Sequence, residues 1–343
     1  FKQKTAYEML RSLVGSEMCI RDSFQCLCVQ RRFSNAINRP ITMNTKSLFT
    51  DDEFNFITSK NTLYAWRIVL FDWAVIITTF VLCAYFPNPF TILLGIFILG
   101  SRQLGLAVVV HETGHRTFFS SNKLNDWVGN WLTGYWVFSN KDSYMKVHLK
   151  HHQFAGTQDD PDLNNYRNYP ISRTSLQRKI IRDLTGQIGW RRIKSIGRSI
   201  RKLGSMSPQS ATYLKRSIAM NLVMITVMSS FGAAWLYLMW LVAFMTTHML
   251  VVRIRQIGEH AAVPDLTSTD ARLNTRTLHI NWLERLFIAP HGVNFHLEHH
   301  ILASAPIYRL KDMHRLLLKK GYYDGMKFQK GYYNLLNLSL IHI

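Results

Sequence analysis

From Ile218 to Val252 about 35 residues pass without a charge, and as one helix they would reach roughly 50 Å, well past a hydrocarbon layer of about 30 Å. The run must fold back, and Ser229-Ser230-Phe231-Gly232 supplies the bend, which predicts two short spans over 218–231 and 234–252. A second apolar pair precedes it: Trp66–Tyr85, the breaker Phe86-Pro87-Asn88-Pro89, then Phe90–Val110. The pattern therefore predicts an all-α membrane protein with four transmembrane helices in two hairpins. Arg67 and Asp72 interrupt the first span and Ser101-Arg102-Gln103 the second. Arg67 can snorkel near a helix end, whereas Arg102 must face protein or water. Trp127–Phe138 is too short and too glycine-rich to span, so it reads as an interfacial or re-entrant segment whose aromatics suit a headgroup layer.

Charge gives the orientation. The chain of 343 residues carries a formal net charge of +20. The connection 141–216 holds sixteen Lys or Arg against five Asp or Glu, while both hairpin bends hold none. By the positive-inside rule the basic loops and both termini are expected in the cytosol. Contact with anionic headgroups explains the excess; no nucleic-acid-binding module accompanies it, so no nucleic-acid partner is expected.

The two ends read as foreign. Residues 1–42 and 338–343 have the character of translated adapter sequence, which makes Met43 the expected start, 43–62 a polar cytosolic lead-in and 63–337 the functional domain. Cys19, Cys26 and Cys28 precede Met43, and Cys83 stands alone in a span, so no disulfide or iron–sulfur framework is expected.

The chemistry lies in three histidine boxes: His111-Glu112-Thr113-Gly114-His115, His148-Leu149-Lys150-His151-His152 and His296-Leu297-Glu298-His299-His300. Residues three and four apart share a helix face, so each box aims two or three imidazoles at one point. Eight imidazoles exceed what one tetrahedral zinc takes, and two metals are implied. All three boxes fall on the predicted cytosolic side. Asp160 and Asp162, in Gln158-Asp159-Asp160-Pro161-Asp162, could orient second-box imidazoles through their N–H groups or simply end the helix in a turn. His248 reads as an interior residue, and His279, His291 and His314 fall outside the box spacing. The first box also satisfies the His-Glu-x-x-His pattern of zinc peptidases, with Glu112 as general base, but that reading leaves most box histidines unused.

The three boxes interleaved with two hairpins, together with Asn294-Phe295-His296 and Pro306-Ile307-Tyr308-Arg309-Leu310 around the third, resemble the integral-membrane fatty acid desaturase and hydroxylase superfamily over roughly 63–331. The resemblance implies four transmembrane helices under a cytosolic helical cap that carries a non-haem diiron centre. It implies a ninth ligand from the extension of the fourth span, here His260, with Gln256 one turn before it; Gln256, Asp160, Asp162 and Asn294 are the candidate supporting residues around the ligands His111, His115, His148, His151, His152, His260, His296, His299 and His300. It also implies O2 as co-substrate, a fatty acyl lipid or acyl-CoA as substrate, and an external electron donor, a ferredoxin or a b-type cytochrome. Carotenoid ketolases and hydroxylases and alkane hydroxylases have similar boxes and form the alternative.

Overall fold

The computed structural model describes residues 45–341; the predicted leader, with Met43 and its three cysteines, lies outside them. Helix α1 (Asp51–Thr58) opens on a capping box in which Thr50 and Glu53 satisfy one another's backbone N–H groups. Asn61 caps α2 (Thr62–Tyr85). At the Pro-Asn-Pro breaker Asn88 accepts from Phe90 N and Thr91 N while Pro89 takes the first helical position, where its missing N–H is no loss, so α3 (Pro89–Gly114) starts at once and antiparallel to α2. Helix α3 runs past the expected end at Val110 and so carries the first box on its last turn.

After α4 (Asn122–Trp127) the chain makes one π-helical turn, Val128–Thr133, and one 3-10 turn, Gly134–Val137. This segment is too short to span, as expected, but it is wedged against protein: Trp73 Nε1 donates to Leu132 O at 2.9 Å, and Trp136 packs edge-on to Trp73. Only a glycine fits at 129, where a Cβ would sit 2.2 Å from Thr113 Oγ1.

The longer helices that follow are α5 (Lys141–Phe154), α6 (Arg173–Leu184), α7 (Gln187–Arg201), α8 (Pro208–Ser230) and α9 (Leu236–Met245). A break at Thr246 (φ −119°, ψ −85°) separates α9 from α10 (Thr247–His260). The C-terminal part holds α11 (His296–Ile301), α12 (Leu310–Lys319) and α13 (Gly331–Leu338). Among the described residues the β-structure is confined to a two-residue parallel pair, Leu278–His279 with Gln329–Lys330, and two isolated bridges.

Three stretches are long and apolar enough to cross a membrane: within Asp51–Tyr85, Pro89–Gly114 and Leu236–His260. The expected span 218–231 belongs to α8, which starts instead at Pro208, because Ser207 caps it and Pro208 fits its first turn; Lys215 and Arg216 on its early turns make it less apolar than the other three. The outward faces of α2 and α3 are apolar, with Leu70 61%, Ile77 56%, Tyr85 77% and Phe90 73% exposed. So contiguous an apolar face suits lipid and not water.

Between these helices Ile76, Phe80, Leu99, Met224, Met239 and Trp240 form one core; a second, around Phe118, Phe119, Leu297, Met313 and Leu317, joins the inner end of α3 to the C-terminal helices. The polar interruptions of the first two spans meet. Arg102, 1% exposed, donates through Nη1 to Asp72 Oδ1 at 2.9 Å, and His291 Nε2 lies 2.8 Å from Asp72 Oδ2. Arg102 Nη2 and Ser101 Oγ also hold Leu286 O, so the chain ahead of the third box is anchored against α3. Arg102 thus faces protein, as its cost in lipid requires. In the segment read as a foreign tail, Ser339 is fully buried and accepts from Ile171 N at 3.0 Å, and Ile341 N donates to Ile171 O at 2.9 Å.

Candidate metal centre

Four elements bring the boxes together. The end of α3 presents His111 and His115, α5 presents His148, His151 and His152, α10 ends on His260, and α11 presents His296, His299 and His300. Asn140 caps α5, accepting from Ser143 N at 3.1 Å, and so sets where the second box begins. The third box enters after two residues of left-handed backbone, His291 (φ +62°) and Gly292 (φ +93°), which turn the chain back under α3.

Two groups result: His111, His115, His148, His152 and His299 in one, His151, His260, His296 and His300 in the other, each with one ring nitrogen per residue within 4.8 Å of the rest. The converging atoms are Nε2 throughout. His148 Nε2 lies 2.7 Å from that of His111 and 3.0 Å from those of His115 and His152, and His152 lies 2.9 Å from His299. In the second group His260 and His296 are 2.9 Å apart, His296 and His300 3.1 Å, and His151 and His300 3.2 Å. His152 and His300 stack at 4.5 Å between centroids and join the two groups.

The opposite ring nitrogens explain what these contacts are. His111 Nδ1 lies 2.9 Å from Glu112 Oε1, His151 Nδ1 2.8 Å from Asp160 Oδ1, and His260 Nδ1 3.0 Å from the carbonyl of Asn274. Each acceptor fixes the proton on Nδ1 and leaves Nε2 with a bare lone pair. Lone pairs converging at about 3 Å repel one another unless a cation lies between them, and that spacing is the edge of a coordination shell with bonds of roughly 2.1 Å. The donor set fits two metal ions.

Burial keeps these imidazoles neutral, the form a metal needs. It lowers His115 to about 4 and, with neighbouring histidines, His152 to about 2; His148, His296, His299 and His300 fall well below the usual value for the same reason. His151 is the exception. Burial opposes its charge, but the hydrogen bond and charge of Asp160 outweigh that and raise it.

The supporting candidates divide. Asp160 touches His151, and Tyr166, stacked on His260 at 4.8 Å, donates to the other Asp160 oxygen. Asp162 instead accepts from Asn165 at 3.2 Å, and its backbone N–H donates to Asp160. Asn294 donates to Leu278 O at 2.9 Å and positions the strand beside the third box. Gln256 is half-buried one turn before His260. His248 lies outside both groups, buried and stacked on Phe244 at 5.5 Å.

Sequence reasoning named Asp160 but missed what Glu112, Glu259 and Glu298 touch. Glu112 holds His111 Nδ1 and accepts from Ile307 N at 3.0 Å, on the far side of the ring from the converging nitrogens, so it does not face the centre as a peptidase base would. Glu259 lies 3.0 Å from Arg255 and 3.6 Å from His296 Nδ1. Glu298, fully buried, accepts from Thr277, Tyr323 and His314, the last at 2.6 Å, and locks the third box to α12. Its place inside the box was the one available signal.

Fold and site define a helical protein with apolar helices long enough to cross a membrane and two histidine clusters able to hold metal. The fatty acid desaturase family model matches residues 86–332, and the chain belongs to that family. It is 24% identical to the dihydrorhizobitoxine desaturase of Bradyrhizobium elkanii over 238 residues, 66% of this chain and 67% of that protein. It is 23% identical to the sn-1 oleoyl-lipid 12-desaturase of a Picosynechococcus strain over 280 residues, 73% and 76% of the two chains. A Synechocystis enzyme of the same name is 24% identical over 237 residues, 63% and 65%. The chain is an oxidoreductase of the desaturase type.

Proposed function

We propose that this protein is a membrane fatty acid desaturase that introduces a double bond into a fatty acyl chain, carried as an acyl lipid or acyl-CoA. The observation that carries the reading is the convergence of nine Nε2 lone pairs in two groups, with Nδ1 of His111 and His151 turned to carboxylates. The nine histidines are the ligands of two iron ions. Iron held there would supply the reductive activation of O2, in which an adjacent methylene pair, O2, two electrons and two protons give an alkene and two waters.

The residues of the chain do the rest. Glu112 and Asp160 hold two ligand rings in one tautomer, and the Asn274 carbonyl holds a third. Tyr144 stacks on His148 at 5.1 Å and keeps water from that side. The wedge from Trp127 to Trp136, packed between α2, α3 and α8, is placed to wall an apolar path for the acyl chain.

In the same reading α2–α3 and α8–α9 form two transmembrane hairpins, with the box-bearing helices as a cap on the cytosolic side. Both termini lie there too. Electrons come from a ferredoxin or a b-type cytochrome.

The test is expression in a host lacking unsaturated fatty acids, with gas chromatography of its lipids and iron analysis of the purified protein. A new alkene with near two irons per chain is expected. Hydroxylated or ketolated products from supplied alkane or carotene, with no alkene, would move the protein to another branch of the superfamily; one zinc per chain would overturn the diiron reading.

A further inference from the structure

Helices α6 and α7 lie between the second and third boxes and take no part in the centre. From Arg173 to Lys202 the chain carries ten Lys or Arg and a single acid, Asp183. That acid is spent internally: it is fully buried and accepts from Arg253 through Nη2 at 2.9 Å and through Nε. No second acid lies on these two helices.

The surface of α7 is divided into sectors. Gly189, Ile196 and Ser199 are buried, and Gly189 sits so close to α9 that a Cβ there would lie 2.2 Å from Met245 Cα. Lys194, Arg198 and Arg201 are exposed on another side. Beside them Trp190 is 55% and Ile200 46% exposed, and α6 adds Ile181 at 56% and Leu184 at 45%.

Helix α7 thus packs on Met245, where α9 stops at the break before α10, inside the apolar stretch Leu236–His260. A helix in that place, with bare Trp, Ile and Leu beside a basic strip, has the character of one lying in the interface, its apolar side chains among acyl chains and its cations among phosphates. An acidic protein partner would satisfy the cations but leave these apolar side chains in water.

We propose that α6 and α7 form an in-plane platform for the headgroups of anionic phospholipids, a partner chosen by charge complementarity and by the apolar residues that share the surface. The proposal rests on the membrane reading above.

The test uses the full chain in nanodiscs of phosphatidylcholine alone and in nanodiscs with a third of that lipid replaced by phosphatidylglycerol, read by amide hydrogen exchange. Exchange across 187–201 should slow strongly in the anionic discs and recover at high salt. The Lys194→Gln/Arg198→Gln/Arg201→Gln variant changes only exposed side chains; at roughly fivefold per cation near an anionic surface it should lose about 100-fold of that protection. Equal exchange in the two lipids, or protection that survives in the triple variant, overturns the platform. So does protection gained in neutral discs only when a soluble acidic protein is added. Free exchange of α2 and α3 in both discs would instead sink the membrane reading, and the platform with it.

Discussion

At His151 the nitrogen turned away from the centre meets Asp160, and Tyr166 holds that carboxylate's other oxygen, so one proposed ligand is oriented by two residues that follow its own helix. Supporting acceptors of this kind typically contribute 10- to 100-fold in metal affinity. Asp160→Asn should therefore retain iron weakly, losing it to a mild chelator that leaves the parent protein loaded, whereas His151→Ala should lose a ligand outright and all turnover. Equal resistance of Asp160→Asn and the parent would show that the contact does not tune the site. His248→Ala should keep full iron content, because its ring stacks on Phe244 away from both groups; iron loss there would mean that the ligand set is wrongly drawn. The box histidines were legible because their spacing is itself a helix face, and His260 was reachable through family resemblance. Glu259 and Glu298 were not, because what identifies them is a partner distant in the chain or on another element: His296 for the first, Thr277, Tyr323 and His314 for the second.

Hydrophobic runs marked where helices lie better than where they begin or break. The α2–α3 hairpin was legible because Pro-Asn-Pro stops one helix and starts the next with local chemistry alone. The start of α8 was written in Ser207-Pro208 but masked by the charges that follow, and the break at Thr246 has no breaker residue to announce it; tertiary packing makes it. That packing is tight where α3 crosses α10. A Cβ on Gly100 would sit 2.1 Å from Thr247 Oγ1 and 2.7 Å from His248 N. Gly100→Ala should cost about 1–3 kcal/mol, seen as a lower unfolding temperature in detergent, and an unchanged temperature would place the two helices farther apart. The bends at Phe86–Asn88 and Ser229–Gly232 test topology. Single cysteines there should react with an impermeant thiol reagent added outside intact cells; reaction only after permeabilisation would invert the orientation.

On the scale of the whole molecule, the Asp72–Arg102–His291 cluster joins the first hairpin to the segment that delivers the third box. Its charges are completely buried, and removing one partner leaves the other uncompensated, typically a loss of 3–5 kcal/mol. Asp72→Asn should therefore fail to accumulate in membranes, while Asp72→Leu combined with Arg102→Leu should accumulate but load less iron, since Leu286 and His291 lose their anchors. Normal accumulation of the single variant, measured by membrane fractionation, would mean that the pair is dispensable. The cluster also bears on how the protein is made. Neither α2 nor α3 is a comfortable passenger in lipid alone, since a lone charge at mid-helix costs about 2.5–3.5 kcal/mol on translocon scales. Entering together, they cancel one another at the moment of insertion. Under the membrane reading proposed above, the hairpin would be committed to the bilayer as one object long before His291 is synthesised, with an acceptor already in place for the part of the chain that brings the third box.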